Sequence, residues 1–307
     1  MKAARISRQH LVSQVLLRQF TMPGPNGSDR QLLPFDVWNP ERRQKRKGPG
    51  ACGAAKDFVA FDSASAEELW GSVETRVPAA LAAVRAGTPF ADPQHVEVLR
   101  DLVVLHYVRS HRYRDVYTKA FGTVSADVIR KVVRQYPEEL RREALRQTGL
   151  HLTGSNALYM FAGRLVEESE VARGFGSGEL FRISIESMFN KVRARSATWD
   201  LEVLTPESGQ FLIGDNPGIT VRTDTTPFSH SMAFGDAYSI VLPVGPGHLL
   251  ALGPENLLGS IPGAVVDELN TVQILAADRY VYMHPQSGLE TLAKAAAKQR
   301  QAARANH

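Results

Sequence analysis

Residues 211–218 read Phe-Leu-Ile-Gly-Asp-Asn-Pro-Gly, an apolar run that ends in an acid, an amide, a proline and a glycine. The run predicts a short buried strand, and the last four residues predict the turn that follows it. Proline fixes its own φ and moves Asn216 away from the helical region, so a stiff turn holds Asp215 at a strand end. Two interpretations stay open: a carboxylate placed for chemistry, or an Asx-type turn that bonds nearby backbone N–H groups.

The character of the sequence changes near residue 196, upstream of this turn. Around and after the turn, alternating residues predict strands over 198–204, 219–222, 238–242, 248–252 and 279–284, with a helix over 265–277. Before residue 196, apolar residues at helical spacing predict helices over 65–86, 92–117 or beyond, 126–146, 156–173 and 179–192. Pro78 is expected to kink or split the first of these helices.

The two ends of the chain complete the predicted fold. Near the N-terminus we expect a helix over 10–20 and a strand over 31–38, in which Pro34 indicates an edge position. Strands at both ends bracket a helical middle, which predicts an α+β protein. Its α-helical middle region, 65–192, would pack on a mostly antiparallel sheet formed by the C-terminal part, 196–285, with an N-terminal strand from 8–61. A basic tail helix over 288–304 ends what we predict to be a single domain, 1–307.

Composition narrows the class of protein. The 307 residues are 43% hydrophobic and 22% charged, with a net charge of +4, which is ordinary for a globular chain and compatible with a polyanionic partner. The single cysteine, Cys52, excludes an intrachain disulfide and a cysteine-based zinc site. No uninterrupted apolar run reaches the roughly 20 residues that a membrane-spanning helix needs. We therefore expect a cytoplasmic protein without a membrane partner.

Three segments together resemble domain-of-unknown-function family 4238, a bacterial family. They are Arg8-Gln9-His10-Leu11-Val12-Ser13 with Leu17 and Phe20, then 211–217, and then Ile240-Val241-Leu242-Pro243-Val244-Gly245-Pro246. Arg109 and Asn270 also stand where the family pattern has an Arg and an Asn, whereas Ser13 replaces its usual Pro. The resemblance spans about residues 8 to 285. It implies a shared architecture and carries no activity.

The motifs of several enzyme classes are absent from the sequence. It has no phosphate-binding Gly-x-x-x-x-Gly-Lys-Ser/Thr loop, no dinucleotide-binding Gly-x-Gly-x-x-Gly and no His-Glu-x-x-His helix. It also lacks the Gly-x-Ser-x-Gly elbow of α/β-hydrolases. Cys52 stands in a glycine-rich loop with no base beside it, which argues against a thiol nucleophile.

Polar residues in apolar surroundings supply the candidate site. We predict that His10, Arg109 and Asp215 converge as catalytic residues: His10 would transfer a proton, Arg109 would stabilise charge, and Asp215 would orient the histidine or bind a divalent metal. Beyond that ion no cofactor is expected. The residues predicted to contribute to binding are Gln14, His106, Asn216 and Asn270. The alternative is a structural network, in which Arg109 and Asp215 form a buried ion pair and His10 lies in the core.

A basic segment suggests the substrate. The residues predicted to contact a nucleic acid backbone are Arg42, Arg43, Lys45, Arg46 and Lys47. A solvated basic loop is the competing interpretation. The leading hypothesis is a hydrolase, a nuclease-like toxin or defence protein that cleaves a phosphodiester, with an antitoxin as a protein partner. The alternatives are a non-enzymatic module that binds nucleic acid or protein, and an enzyme acting on a small phosphorylated substrate in a pocket beside Asp215.

Overall fold

The computed structural model describes residues 6–25, 27, 29–253 and 256–305. Its α-helices are α1 (Gln14–Leu17), α2 (Ser63–Glu74), α3 (Val77–Arg85), α4 (Pro93–Val108), α5 (His111–Gln135), α6 (Pro137–Thr148), α7 (Ser155–Glu167), α8 (Glu170–Ser177), α9 (Glu179–Ser196), α10 (Gly263–Ala276) and α11 (Glu290–Ala305). Its strands are β1 (Arg8–His10), β2 (Met22–Pro23), β3 (Arg30–Gln31), β4 (Leu33–Asp36), β5 (Ala54–Lys56), β6 (Asp200–Pro206), β7 (Ile213–Gly214), β8 (Ile219–Arg222), β9 (Ser229–His230), β10 (Ser239–Gly245), β11 (His248–Gly253), β12 (Leu257–Ile261) and β13 (Tyr280–Met283). The predicted α+β class, with a helical middle, is confirmed.

The helical middle follows the predicted pattern with one important break. Pro78 splits the first predicted helix into α2 and α3 and lies in the first turn of α3, where its missing N–H costs nothing. The helix predicted over 92–117 is not continuous, because α4 ends at Val108 and residues 111–117 belong to α5. Arg109 leaves the helical region with ψ of 65°, and Ser110 caps α5 by accepting from the Tyr113 N–H at 3.2 Å. No helix among the described residues is long and apolar enough to cross a bilayer.

The main sheet has six strands in the order β12-β6-β11-β10-β8-β9. Its pairs are antiparallel except β12 with β6. Side chains alternate across each strand, so one face carries Val203, Ile240 and Leu250, which share a core cluster with Leu99 and Leu102 of α4. The opposite face packs in part against α10. The sheet therefore holds α4 in place from one side.

A second sheet joins the two ends of the chain. Its order is β4-β13-β7, and β4 pairs antiparallel with β13, so the expected pairing of the N-terminal strand with C-terminal strands is confirmed. Pro34 lies in β4, an edge strand, as its missing N–H predicts. The predicted tail helix is α11, which buries Ala293 and Ala297 against this sheet.

The first helix is much shorter than predicted. The backbone N–H groups of Leu11 and Val12 both donate to the Gly53 carbonyl, at 2.7 and 3.1 Å, which ties this segment to the chain beside β5. His10 instead ends β1, which pairs antiparallel with β5, and α1 begins only at Gln14. His10 and Gln14 therefore lie on different elements.

Candidate functional site

The Asp215 carboxylate is a structural acceptor. One oxygen accepts the backbone N–H of Asp278 at 2.6 Å, and the other accepts those of Arg279 and Tyr280 at 2.8 Å each. Burial raises the pKa of Asp215, and the three N–H groups offset part of that effect. Among the described residues, its hydrogen bonds reach neither His10 nor Arg109, so this carboxylate does not orient His10 through a direct hydrogen bond as predicted.

The amides around the turn also bind backbone. Asn216 accepts from the Arg112 N–H at 3.3 Å and donates to the Ala276 carbonyl at 2.9 Å, which joins the start of α5 to the end of α10. Asn270 accepts from the Leu212 N–H at 2.9 Å and donates to the Gln210 carbonyl at 2.9 Å. Both predicted binding residues thus satisfy buried main-chain groups.

Gln273 completes this amide framework, and sequence reasoning missed it. Its side chain accepts from the Gly214 N–H at 2.9 Å and donates to the Pro217 carbonyl at 3.0 Å. Its spacing in the sequence could have revealed it, because Gln273 lies three residues after Asn270 and therefore on the same face of a helix. Two amides on an apolar helix face indicate main-chain partners.

The turn also fixes the end of α4. A Cβ atom on Gly218 would lie 2.5 Å from the Tyr107 nitrogen and 2.8 Å from the His106 carbonyl carbon, so only glycine permits this close approach. The stretch that decides the sheet therefore abuts the helix end that carries His106 and precedes Arg109.

Arg109 pairs with Glu74 and not with Asp215. Its side chain is 2% exposed, and Nη2 lies 2.5 Å from Oε1 of Glu74 and 3.4 Å from Nε2 of His106. The guanidinium also lies over the Trp70 ring, 4.9 Å from its centroid. Burial raises the pKa of Glu74, but the Arg109 charge and hydrogen bond outweigh it, and the net pKa is lowered. Arg109 does form an ion pair, as the alternative interpretation predicts, but its partner is Glu74 instead of Asp215.

His106 is a fixed, neutral scaffold residue. Nδ1 bonds the Leu102 carbonyl at 2.9 Å, and Nε2 accepts the Ser13 backbone N–H at 3.1 Å, which assigns the proton to Nδ1. Complete burial, followed by the charge of Arg109, lowers the pKa of His106 to about 3. At neutral pH this imidazole positions the N-terminal segment and does not transfer protons.

His10 is the half-buried histidine of the site. Its Nε2 lies 3.1 Å from Nε2 of Gln14, so these two predicted residues do meet. Burial, followed by the charge of Arg8, lowers the pKa of His10, while a hydrogen bond to the Gly50 backbone raises it. The charges of Arg109 and Glu74 also act on the ring. His10 is thus a neutral, partly accessible base beside the buried ion pair.

Glu67 joins this group, and sequence reasoning missed it. Its Oε1 is buried without a hydrogen-bond partner, and so is Nε of Arg109. Burial raises the pKa of Glu67, while the charge of Arg109 opposes the shift. Positions 67, 70 and 74 lie at helical spacings of three and four, so Glu67, Trp70 and Glu74 share one face of α2. That acid–aromatic–acid pattern was the available signal.

We call this group the polar cluster. It consists of His10, Gln14, Glu67, Glu74, His106 and Arg109, from β1, α1, α2 and the end of α4. It combines a neutral base, a carboxyl with raised pKa and an arginine N–H without a partner. Perturbed acids and bases around one cation are typical of sites that transfer protons. Among the described residues, no group of three or more His, Cys, Asp or Glu side chains could hold a metal ion.

The predicted basic segment is exposed and borders a small concavity. The side chains of Arg42, Arg43, Lys45, Arg46 and Lys47 are all exposed. Four of them, all but Arg46, line a cavity of about 150 Å³. The segment leads to Gly50, whose carbonyl accepts from Arg8 Nη2 at 2.5 Å and whose backbone bonds His10. In the tail helix, Lys294 and Lys298 pair with Glu41.

Comparison with known proteins yields one match. The family model described as "Protein of unknown function (DUF4238)" matches residues 8–287. This confirms the family resemblance carried by the three sequence segments. No curated protein and no solved structure matches the chain.

Proposed function

Because the chain belongs to the DUF4238 family, whose description carries no activity, we propose its function from the polar cluster: a nuclease-like hydrolase that cleaves a phosphodiester. One observation carries the proposal. Glu67 Oε1 and Arg109 Nε are both buried without partners, although each is part of one group of interacting charges. Buried polar atoms are normally paired, so two of them without partners beside a neutral histidine favour a ligand. A phosphoryl oxygen accepts from Arg109 Nε, and it accepts from Glu67 when that carboxyl holds a proton.

The roles follow from the protonation states. His10, neutral at pH 7 because its pKa is lowered, takes a proton from the attacking water, and the resulting hydroxide attacks phosphorus. We assign the general acid to Glu67, because burial shifts its pKa in the direction that favours the protonated carboxyl, which gives its proton to the leaving oxygen. Nε of Arg109 donates to the oxygen on which charge develops, while Glu74 and His106 keep the guanidinium in place. The general acid of this mechanism is thus a residue that the sequence prediction did not include.

The basic segment 42–47 supports a nucleic acid substrate. Exposed cations attract the phosphate backbone whatever its sequence, and this attraction weakens as salt rises. Gly50, three residues after the segment, contacts His10, so a backbone bound along 42–47 would run toward the polar cluster. A nuclease of this kind would act as a toxin or a phage-defence protein, with an antitoxin as its partner.

The test is cleavage of 5′-labelled single-stranded RNA, single-stranded DNA and duplex DNA by purified protein, analysed on denaturing gels. We expect wild type to cleave at least one substrate, and His10→Ala or Glu67→Gln to lose about 10²–10⁴-fold in rate. His151→Ala, at an exposed position, is the matched control and keeps full activity. Induced expression of wild type, but not of His10→Ala, then arrests growth. Equal rates in all three variants would sink the assignment of the polar cluster.

The second candidate is a non-enzymatic module that binds nucleic acid, favoured by the same exposed basic segment. Binding of labelled RNA or DNA that weakens in Arg42→Gln/Lys45→Gln, while no substrate is cleaved, would establish it. Lys131→Gln/Arg134→Gln, which removes two charges from the exposed surface of α5, controls for loss of net charge alone. Cleavage that depends on His10 would exclude this non-enzymatic interpretation.

A further inference from the structure

The second face of the six-stranded sheet carries a cavity of about 830 Å³. Its floor consists of apolar side chains from four adjacent strands: Leu204, Val221, Val241, Leu249 and Ala251. These residues alternate along the strands with those that pack on α4, so one face of the sheet contacts α4 and the other lines the cavity. The helix α10 covers only part of this face, and Val265 and Leu269 form one wall of the cavity.

Aromatic side chains held by ring and cation contacts form other walls. Trp199 stacks on Phe234 with a centroid distance of 5.0 Å. The Arg222 guanidinium lies 4.4 Å from the centroid of the Tyr238 ring. Both Trp199 and Tyr238 line the cavity, so these contacts support two of its walls.

The lining determines the chemistry of a ligand. Among the described residues, no cationic side chain lines the cavity, whereas the carboxylate of Glu202 does, which disfavours an anion. The Oγ of Ser239 lies at the cavity and is buried without a hydrogen-bond partner. Volume, apolar lining and a small number of polar groups match those of small-molecule sites, which measure roughly 300–1,000 Å³.

We propose that this cavity binds a neutral, apolar small molecule that carries one hydroxyl group, which pairs with Ser239. The site is separate from the polar cluster and does not depend on the proposed hydrolase activity. It would give the chain a binding function for a metabolite or signal that is chemically unlike a phosphodiester.

The first test is titration of the full chain with N-phenyl-1-naphthylamine, a neutral probe that fluoresces in apolar sites. We expect saturable binding to wild type and a loss of at least about tenfold in affinity in Ala251→Phe, which fills the floor with a residue that strands favour. Val265→Glu, at a half-buried wall position on α10, gives the same loss without a substitution in the sheet. Melting curves check that both variants fold.

The control is Met160→Ser, because Met160 is 78% exposed on the helical middle and would attract an apolar probe non-specifically. The proposal is overturned if wild type shows no saturable binding. It is also overturned if Met160→Ser lowers the fluorescence while folded Ala251→Phe or Val265→Glu leaves it unchanged.

A competition experiment tests the ligand class. 1-Octanol is expected to displace the probe at a concentration about tenfold below that of octanoate, because no cationic side chain of the described lining would pair with the carboxylate. Ser239→Val should raise the octanol concentration needed by about fivefold, since one hydrogen bond is lost. Equal displacement by octanol and octanoate, or no effect of Ser239→Val, would contradict the assignment of a neutral hydroxyl ligand.

Discussion

Nε2 of His106 accepts a hydrogen bond from the backbone N–H of Ser13, 3.1 Å away, so a histidine near the end of α4 holds the segment that carries His10 and Gln14. The residues are 93 positions apart in the sequence. Because the second nitrogen bonds the Leu102 carbonyl, the ring has no freedom to turn. The geometry of His10 therefore depends on an imidazole that itself does no proton transfer.

Replacing His106 should be costly. His106→Ala leaves the Ser13 N–H buried without an acceptor and opens a cavity, so we expect the free energy of unfolding to fall by about 3 kcal/mol. Urea denaturation followed by circular dichroism measures this loss. His151→Ala, at an exposed position, should change stability by less than about 0.5 kcal/mol. A similar small change in His106→Ala would mean that the contact with Ser13 does not stabilise the fold.

The lowered pKa of His106 predicts how stability depends on pH. The pKa is about 3 in the folded chain and 6.5 for an ordinary histidine, so between these values only the unfolded state binds the proton. The contribution is fully present above pH 6.5 and is lost as pH falls toward 3, by about 1.4 kcal/mol per pH unit. His106→Gln removes this slope. If wild type and His106→Gln lose stability in parallel over this range, the histidine is not buried neutral.

Glu67 and Glu74 lie on one helix, and their substitutions are expected to lower the stability of the fold by very different amounts. Glu74→Gln leaves the Arg109 charge buried without its ionic partner, so we expect a loss of about 3–5 kcal/mol in the free energy of unfolding. Glu67→Gln breaks no hydrogen bond of Oε1 and should cost less than about 1 kcal/mol. Denaturation of both variants beside the cleavage assay separates the roles. A large stability loss in Glu67→Gln would make Glu67 structural.

The sequence predicts most of the local architecture. The hairpin of β10 and β11, the split at Pro78 and the pairing of β4 with the C-terminal strands all follow from proline, glycine and period-two patterns. The end of α4 could not be predicted in this way. Apolar periodicity continues past Arg109, and Ser110, which caps α5, has no acid three residues later to complete a capping box.

The sequence does not predict which side chains from distant segments contact one another. His10, Gln14, His106 and Arg109 were chosen as polar residues in apolar surroundings, and the structure brings them together. The alternative prediction of an ion pair between Arg109 and Asp215 is wrong, since Arg109 pairs with Glu74. Helical spacing shows which residues share a face but not which face meets another element.

Asp215→Asn tests the structural role of the turn. Three N–H groups converge on two carboxylate oxygens, and an amide would present its own N–H to at least one of them, so we expect a loss of about 3 kcal/mol in the free energy of unfolding. Asp224→Asn, in an exposed ion pair, is the control and should cost at most about 1 kcal/mol. If Asp215→Asn keeps its melting temperature but loses cleavage, the catalytic interpretation of Asp215 returns.

Gly218 offers the sharpest test that the turn positions the polar cluster. In Gly218→Ala the new methyl would overlap the backbone at His106 and Tyr107, which cannot yield as a side chain would, so stability should fall by about 3 kcal/mol. Gly122→Ala is the matched control, since its Cβ meets nothing within 4 Å in the helix α5, and it should gain about 0.5–1 kcal/mol. Thermal denaturation measures both changes. Because the end of α4 must move to admit the methyl, a folded Gly218→Ala should also lose the hydrogen bond between His106 and Ser13, seen as faster amide exchange at Ser13. Unchanged stability and exchange would show that the turn and the cluster are mechanically independent.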